Sequence, residues 1–361
     1  MVKLNVAVLF GGQSGEHEVS KMSAKSIINN INKDKYEIYL VGITKCGEWY
    51  LYKGDVEKIE TDEWKKEAIP VVIGPSTKYK GILTLKDGKY EFYPIDVVFP
   101  VLHGPNGEDG TVQGLLELLE VPYVGPNVLS SSLCMDKIFS KRLFKESGIP
   151  TPDFTIVYRN ELNDINKKDE IFNRVSGIGY PCFIKPANMG SSVGITKVHN
   201  ENELYDALKL AAKYDRKIIV EQGIDAREIE CAVLGNENPE ASIAGEILPA
   251  HEFYDYDAKY YDEASKLFIP APIPDVKMEE IRDLAVKAFV ALDCRGMARV
   301  DFLMDKNTGK VYLNELNTIP GFTKISMYPK LWEATGKPYP VLIDELIELA
   351  ISANKEKCTN W

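Results

Sequence analysis

Arg299-Val300-Asp301-Phe302-Leu303-Met304, Asp305-Lys306-Asn307-Thr308-Gly309-Lys310 and Val311-Tyr312-Leu313-Asn314-Glu315-Leu316-Asn317 run on without a break, two apolar-rich arms around a polar turn. The stretch predicts a β-hairpin. Alternate residues of a strand share a face, so Arg299 projects with Asp301, and Glu315 with Asn317. A turn centred near Thr308 sets Asp301 opposite Glu315 and Arg299 opposite Asn317. Three oxygen donors and one cation then share a patch. Oxygen-only donors suit a hard cation such as Mg²⁺, which takes a few carboxylates and completes its shell with water and substrate phosphates. Alternating charge on a hairpin is also what a solvated face looks like. The irregular run Thr318-Ile319-Pro320-Gly321-Phe322-Thr323, directly after the last donor, favours a Mg²⁺-nucleotide site, because it is free to turn backbone N–H groups toward a substrate.

Around this hairpin lie 361 residues, more than one ordinary domain, which predicts two or three domains with cores of their own. Hydrophobic residues at 45% and charged residues at 27% are globular values, and no run reaches the roughly 18 apolar residues of a membrane helix. Membrane is therefore not an expected partner. Lys plus Arg at 43 against Asp plus Glu at 54 leaves a net charge of -11 with no long basic block, which argues against nucleic acid as well. The N-terminal apolar run leads into Gly11-Gly12 and not into a small-residue cleavage site, so it reads as a first strand. Six cysteines are scattered singly without a Cys-x-x-Cys pair. That predicts reduced thiols in a cytoplasm and neither a zinc nor a disulfide framework.

In chain order, the strand at 3–10 runs into Gly11-Gly12-Gln13-Ser14-Gly15-Glu16-His17-Glu18-Val19-Ser20 and then a helix near 21–31, the opening of a parallel α/β unit whose ligands sit at the strand ends. The loop has neither a GxGxxG nor a P-loop lysine. Its carboxylates and histidine can hold a cationic group such as an amine; acidic residues are also simply favoured at a helix N-terminus. A second strand spans 36–43, a partly β insertion 49–93, and a buried strand 97–102 that ends at His103-Gly104-Pro105-Asn106-Gly107-Glu108-Asp109-Gly110, followed by a helix at 111–119. Two polar loops at strand ends of one sheet predict a shared crevice, and the first domain closes near 125–127. One helix is expected at 130–147, carrying Asp136, Lys137 and Lys141. From 151 the pattern turns to antiparallel β with helices. Lys185 opens the small-residue loop 185–194, which suits a flap closing over phosphates or an ordinary hairpin turn. Residues 220–224 can offer backbone groups to an adenine edge, though nothing in their composition requires it. The aromatic and charged run 253–262 has no period and reads as a long functional loop; helices follow near 278–292 and 341–355.

Together these residues resemble the D-alanine:D-alanine ligases of the ATP-grasp superfamily over essentially the whole chain. The resemblance rests on the motifs at 11–20, 103–110 and 185–194 and on Arg299, Asp301, Glu315, Asn317 and Gly321. It implies a three-domain α/β ATP-grasp architecture: an N-terminal parallel α/β domain at 1–127 and two α+β domains, 128–223 and 224–361, that clasp ATP. By position, Lys137, Lys185, Ser192, Glu221, Gln222, Gly223, Ile224, Glu228 and Lys259 would hold ATP. Asp301, Glu315 and Asn317 would hold two Mg²⁺, or Mn²⁺, with Glu315 bridging. Glu16, Ser191 and Tyr260 would form a hydrogen-bonded set at the first D-alanine, near His103, and Ser326 and Met327 would receive the carboxylate of the second. Arg299 and the Gly321 N–H would stabilise an oxyanion. The implied activity is ATP-dependent formation of D-alanyl-D-alanine through an acyl phosphate for peptidoglycan precursors, in a cytoplasmic homodimer. A sister ligase using D-lactate or D-serine is the nearest rival, and the run 253–262 looks like the dipeptide-forming type.

Overall fold

The computed structural model describes residues 2–248 and 266–357, so the run 253–262, with Lys259 and Tyr260, lies outside the described residues. The first apolar run is β1 (Leu4–Gly11), followed by α1 (His17–Asn30), which starts earlier than its apolar pattern suggests. β1 pairs in parallel with β2 (Tyr36–Ile43) on one side and β7 (Val97–Pro100) on the other. Their apolar runs are continuous because both faces of this part of the sheet are covered. Parallel pairing brings the carboxyl ends of β1 and β7 side by side, so the loops that follow them meet: Ser14 Oγ donates to the His103 carbonyl at 2.8 Å. The segment 49–93 is the antiparallel wing of the same sheet. β3 (Trp49–Tyr52), β4 (Ile69–Val72), β5 (Gly81–Lys86) and β6 (Lys89–Pro94) extend it to the order β6-β5-β4-β3-β2-β1-β7. α2 (Thr111–Leu119) leads out of the β7 loop.

The single helix expected at 130–147 is two helices, α3 (Val128–Met135) and α4 (Lys137–Glu146). Asp136 breaks them. Its backbone is extended, and its carboxylate accepts from the N–H groups of Ile138 at 3.0 Å and Phe139 at 3.2 Å, a cap that starts a helix where apolar periodicity alone would continue one. The same carboxylate is paired with Lys217. Two antiparallel sheets follow. The first, ordered β10-β9-β11-β8, is built from β8 (Phe154–Tyr158), β9 (Cys182–Pro186), β10 (Thr196–Val198) and β11 (Lys217–Gln222), and its core is closed by α5 (Lys168–Ser176) and α6 (Glu201–Tyr214). The second, ordered β14-β13-β12-β15-β16, is built from β12 (Ala226–Gly235), β13 (Glu240–Leu248), β14 (Lys266–Phe268), β15 (Gly296–Asp305) and β16 (Val311–Asn317). α7 (Asp275–Ala291) packs on it, and Cys134 and Phe144 of α3 and α4 share that core with Phe289, Val300 and Phe302. α8 (Met327–Ala334) and α9 (Tyr339–Lys357) then return to the first sheet, where Trp332, Leu342, Leu346 and Ile347 pack in one core with Val6, Val8 and Phe10.

The Asp136 junction generates a stability prediction. Asp136→Ala removes a cap, worth about 1 kcal/mol, and strands Lys217 in a mostly buried position, so a loss of about 3–5 kcal/mol is expected in denaturant unfolding. Asp136→Asn keeps the capping oxygen and should fall between that variant and the wild type.

Candidate active site

β15 and β16 pair as the hairpin pattern requires, with Arg299 opposite Asn317 and Asp301 opposite Glu315. One feature was not anticipated. The register shifts between Asp301 and Phe302, so that Phe302 faces Leu313 and Asn314 is an extra residue, a β-bulge. The bulge answers a conflict in the pleat. Val311 and Leu313 belong to the core, yet in a regular strand they would share a face with Glu315 and Asn317. One added residue moves the last two onto the other face while Leu316 stays in the core. On that face Arg299 makes a fork to Asp301, Nε to Oδ1 and Nη2 to Oδ2, both at 2.7 Å, and lies 3.1 Å from Glu230 of β12. Asn317 donates its amide N–H to Asp301 at 2.9 Å. Glu315 lies 3.4 Å from the Lys137 ammonium.

The wall opposite is cationic. Lys137 and Lys141 are one turn apart on α4 and share its inner face. Lys137 donates to the Met189 carbonyl at 2.9 Å, which ties α4 to the loop 187–194. Glu221, at the end of β11, is buried between Lys141 at 2.9 Å and Lys185 at 2.5 Å. Burial pushes the Glu221 carboxyl up, but attraction to and hydrogen bonds from the two lysines outweigh it and hold its pKa at about 2. The same pairing holds the Lys185 ammonium above its ordinary value against desolvation. In the loop, Ser191 and Ser192 carry φ of 47° and 60°, left-handed values that side chains seldom adopt. The Ser191 hydroxyl donates to the Glu16 carboxylate, so the loop is bonded to the first sheet's end.

Of the three polar residues at 16–18, only Glu16 faces this crevice. It sits against Gly104 and Gly190, where a Cβ would fall 2.4 and 2.8 Å from a carboxylate oxygen, so a side chain at either position would push the carboxylate from its place. Glu18 turns away to Lys21 and Lys45, and His17 donates from Nδ1 to the Gly12 carbonyl at 2.7 Å. His17, Glu18 and Asp62 do cluster, but the Lys21 ammonium already supplies the cation there, 2.5 Å from Glu18 and 2.8 Å from Asp62. His103 has both ring nitrogens engaged, Nδ1 with the Ile319 carbonyl at 2.8 Å and Nε2 with Ser23 Oγ at 3.1 Å. A carbonyl only accepts, so the proton sits on Nδ1; burial lowers the His103 pKa and keeps the ring neutral. Glu108, to which sequence reasoning gave no role, accepts from the N–H groups of Gly104 at 2.8 Å and Ile319 at 3.0 Å. Burial and the neighbouring Glu16 push its pKa up to about 8.

All the site residues named from the sequence, apart from Lys259 and Tyr260, line one cleft of about 590 Å³ between the three sheets. Glu108 and Glu230 line it too. Glu230 was legible as the alternate-position neighbour of Glu228 on β12. The oxygen donors of Asp301, Glu315 and Asn317, gathered on one face, fit a hard divalent cation; here Arg299 and Lys137 neutralise the carboxylates.

Two antiparallel sheets closing on a cleft with lysines on one wall and carboxylates on the other are the arrangement of an ATP-grasp ligase. A family profile described as "D-ala D-ala ligase N-terminus" matches residues 5–126, and one described as "D-ala D-ala ligase C-terminus" matches residues 143–348. The chain belongs to the D-alanine–D-alanine ligase family, enzymes that imply ATP and a divalent metal. It is 72% identical over 362 residues, all of both chains, to a D-alanine–D-alanine ligase of Thermoanaerobacter pseudethanolicus. A ligase of the same name from Caldicellulosiruptor bescii is 55% identical over 99% of this chain and 98% of that one. Among solved structures, the D-alanine-D-alanine ligase from Coxiella burnetii matches with a TM-score of 0.87 and 40% identity over 98% of this chain and 96% of that one. The VanG D-Ala:D-Ser ligase from Enterococcus faecalis matches with the same score and identity over 97% and 100%. No described helix is long and apolar enough to cross a membrane.

Glu108 generates a pH prediction. Its folded pKa lies above the ordinary 4.5, so the native state holds the proton more tightly than the unfolded chain. That contribution to stability is whole below pH 4.5 and is lost as pH rises through about 8. Glu108→Gln cannot titrate, so the stability gap between wild type and variant should shrink across this window in denaturant unfolding; a gap that widens would be the opposite sign.

Proposed function

We propose that this enzyme joins two D-alanine molecules into D-alanyl-D-alanine, converting ATP to ADP and phosphate through an acyl phosphate, for peptidoglycan precursor synthesis in the cytoplasm. The observation that carries the reading is the Ser191–Glu16 contact, in a cleft that residues 319–321 also line: groups from all three sheets converge there, together with the cationic wall. Glu16 receives the ammonium of the first D-alanine, with Ser191 and Tyr260 completing the set. That leaves the substrate carboxylate facing the γ-phosphate of ATP, which Lys137, Lys185, Ser192 and Lys259 draw toward it. Residues 221–224 and Glu228 hold the remainder of the nucleotide. Attack of the carboxylate on the γ-phosphorus expels ADP and leaves the acyl phosphate. The second D-alanine, its carboxylate received by Ser326 and Met327, attacks the acyl carbon as a free amine, and Arg299 with the Gly321 N–H stabilises the oxyanion until phosphate leaves. Asp301, Glu315 and Asn317 would hold two Mg²⁺, which would supply charge neutralisation on the phosphates. His103 acts through the loop it holds.

The same reading divides the chain at 1–127, 128–223 and 224–361, with α3 and α4 lending their apolar faces to the last unit, and makes it a homodimer through the first. The resemblance to a D-Ala:D-Ser ligase structure supports a second reading, D-serine as acceptor. Product analysis with ATP, D-alanine and each acceptor tests both: D-alanyl-D-alanine should dominate, and absence of any D-alanine-dependent phosphate release would reject the function.

Two substitutions test the roles. Glu315→Gln should fold with a near-normal melting curve but lose nearly all Mg²⁺-dependent dipeptide synthesis, because an amide cannot neutralise the two cations it bridges. Arg299→Lys keeps a charge beside Glu230 and Asp301 but loses the fork, so nucleotide binding should persist while turnover falls about a hundredfold.

A further inference from the structure

Lys141 has no role in the chemistry above, and yet it is among the most buried side chains in the protein, 1% exposed. Placing an ammonium there is costly, and a methionine or leucine of similar volume would often fold as well or better. The cost is offset at two places. Nζ is 2.9 Å from Glu221 at the end of β11, and it donates to the carbonyl of Asn314, the bulged residue of β16, at 2.9 Å. A bulged carbonyl has left the ladder and, when buried, needs another donor. The bulge in turn decides which face of β16 Glu315 and Asn317 occupy, because a register change of one residue sends side chains to the opposite face.

We propose that Lys141 is a positioning residue of the metal centre: by holding the Asn314 carbonyl it fixes the β16 bulge and keeps Glu315 aimed into the cleft. This rests on Glu315 being a metal ligand, as in the function proposed above. Lys141 also joins the nucleotide wall, through Glu221, to the metal wall, and it does so beside Lys137, which lies on Glu315 from the same helix. Simple neutralisation of Glu221 is a different account, since Lys185 stands on the same carboxylate.

Mn²⁺ is the probe, titrated by electron paramagnetic resonance into the full-length enzyme with a non-hydrolysable ATP analogue. Wild type should bind Mn²⁺ in a nucleotide-dependent way and Glu315→Gln should not; failure of either result removes the metal assignment and this proposal with it. Given both, Lys141→Met should weaken Mn²⁺ at least tenfold, while the KM for the first D-alanine stays within about twofold. The double variant Lys141→Met/Glu221→Gln, which carries no unmatched carboxylate and guards against a single variant that fails to fold, should show the same weakening. Mn²⁺ affinity within twofold of wild type in Lys141→Met, or its recovery in the double variant, overturns the proposal, the second outcome assigning the lysine to neutralisation alone.

Discussion

Residues 318–321 line the cleft, and of these and Phe322 all but the half-buried Gly321 are buried, with Thr318 1%, Ile319 2% and Phe322 0% exposed. Buried peptide groups demand partners. They come from the far end of the sequence: Glu108 takes the Ile319 N–H, His103 donates to the Ile319 carbonyl, and Ser23 takes the Phe322 N–H at 3.1 Å while bonding His103. Everything else in the cleft is arranged from this closure. It brings the β1 loop, and with it Glu16, over the end of β16, and it leaves the loop 187–194 a fixed carboxylate to bond.

The second constraint is charge. The cleft interleaves acids and bases, within each wall and, through Lys137, between them. Lys137 lies on Glu315, Arg299 on Asp301, and Lys185 on Glu221. A divalent cation joining Asp301 and Glu315 would release Arg299 and Lys137 toward incoming phosphate and oxyanion charge, so binding would exchange one set of ion pairs for another. Such an exchange avoids much of the desolvation cost that a lone buried charge carries.

The hairpin was readable because polar and apolar residues alternate along β15, and the glycine-bearing loops were readable because each follows a continuous apolar run. The bulge was present in the sequence too, as a spacing of two between Val311 and Leu313 and of three between Leu313 and Leu316. Asp136 hid the α3–α4 break, since Asp-Lys in an apolar-periodic stretch looks like helix surface until its capping bonds are seen. Glu108 and Lys141 stand in the sequence with nothing local to mark a role. Their partners are backbone groups 211 and 173 residues away, Ile319 N–H and the Asn314 carbonyl, and pairings at that range leave no local pattern. The antiparallel wing at 49–93 was opaque for a similar reason: short strands of mixed exposure announce neither their neighbours nor their order.

The core that joins β1 to α9 has a consequence for how the chain is made. Val6, Val8 and Phe10 leave the ribosome about 330 residues ahead of Leu342, Leu346 and Ile347, which cover them. At roughly 5–20 residues per second, the first sheet is complete about 12–50 s before its cover exists. During that interval the part of the apolar face that α1 does not cover stands open on a nascent chain. The packing that joins this strand to α9 thus leaves part of the strand's apolar face waiting for a helix made much later.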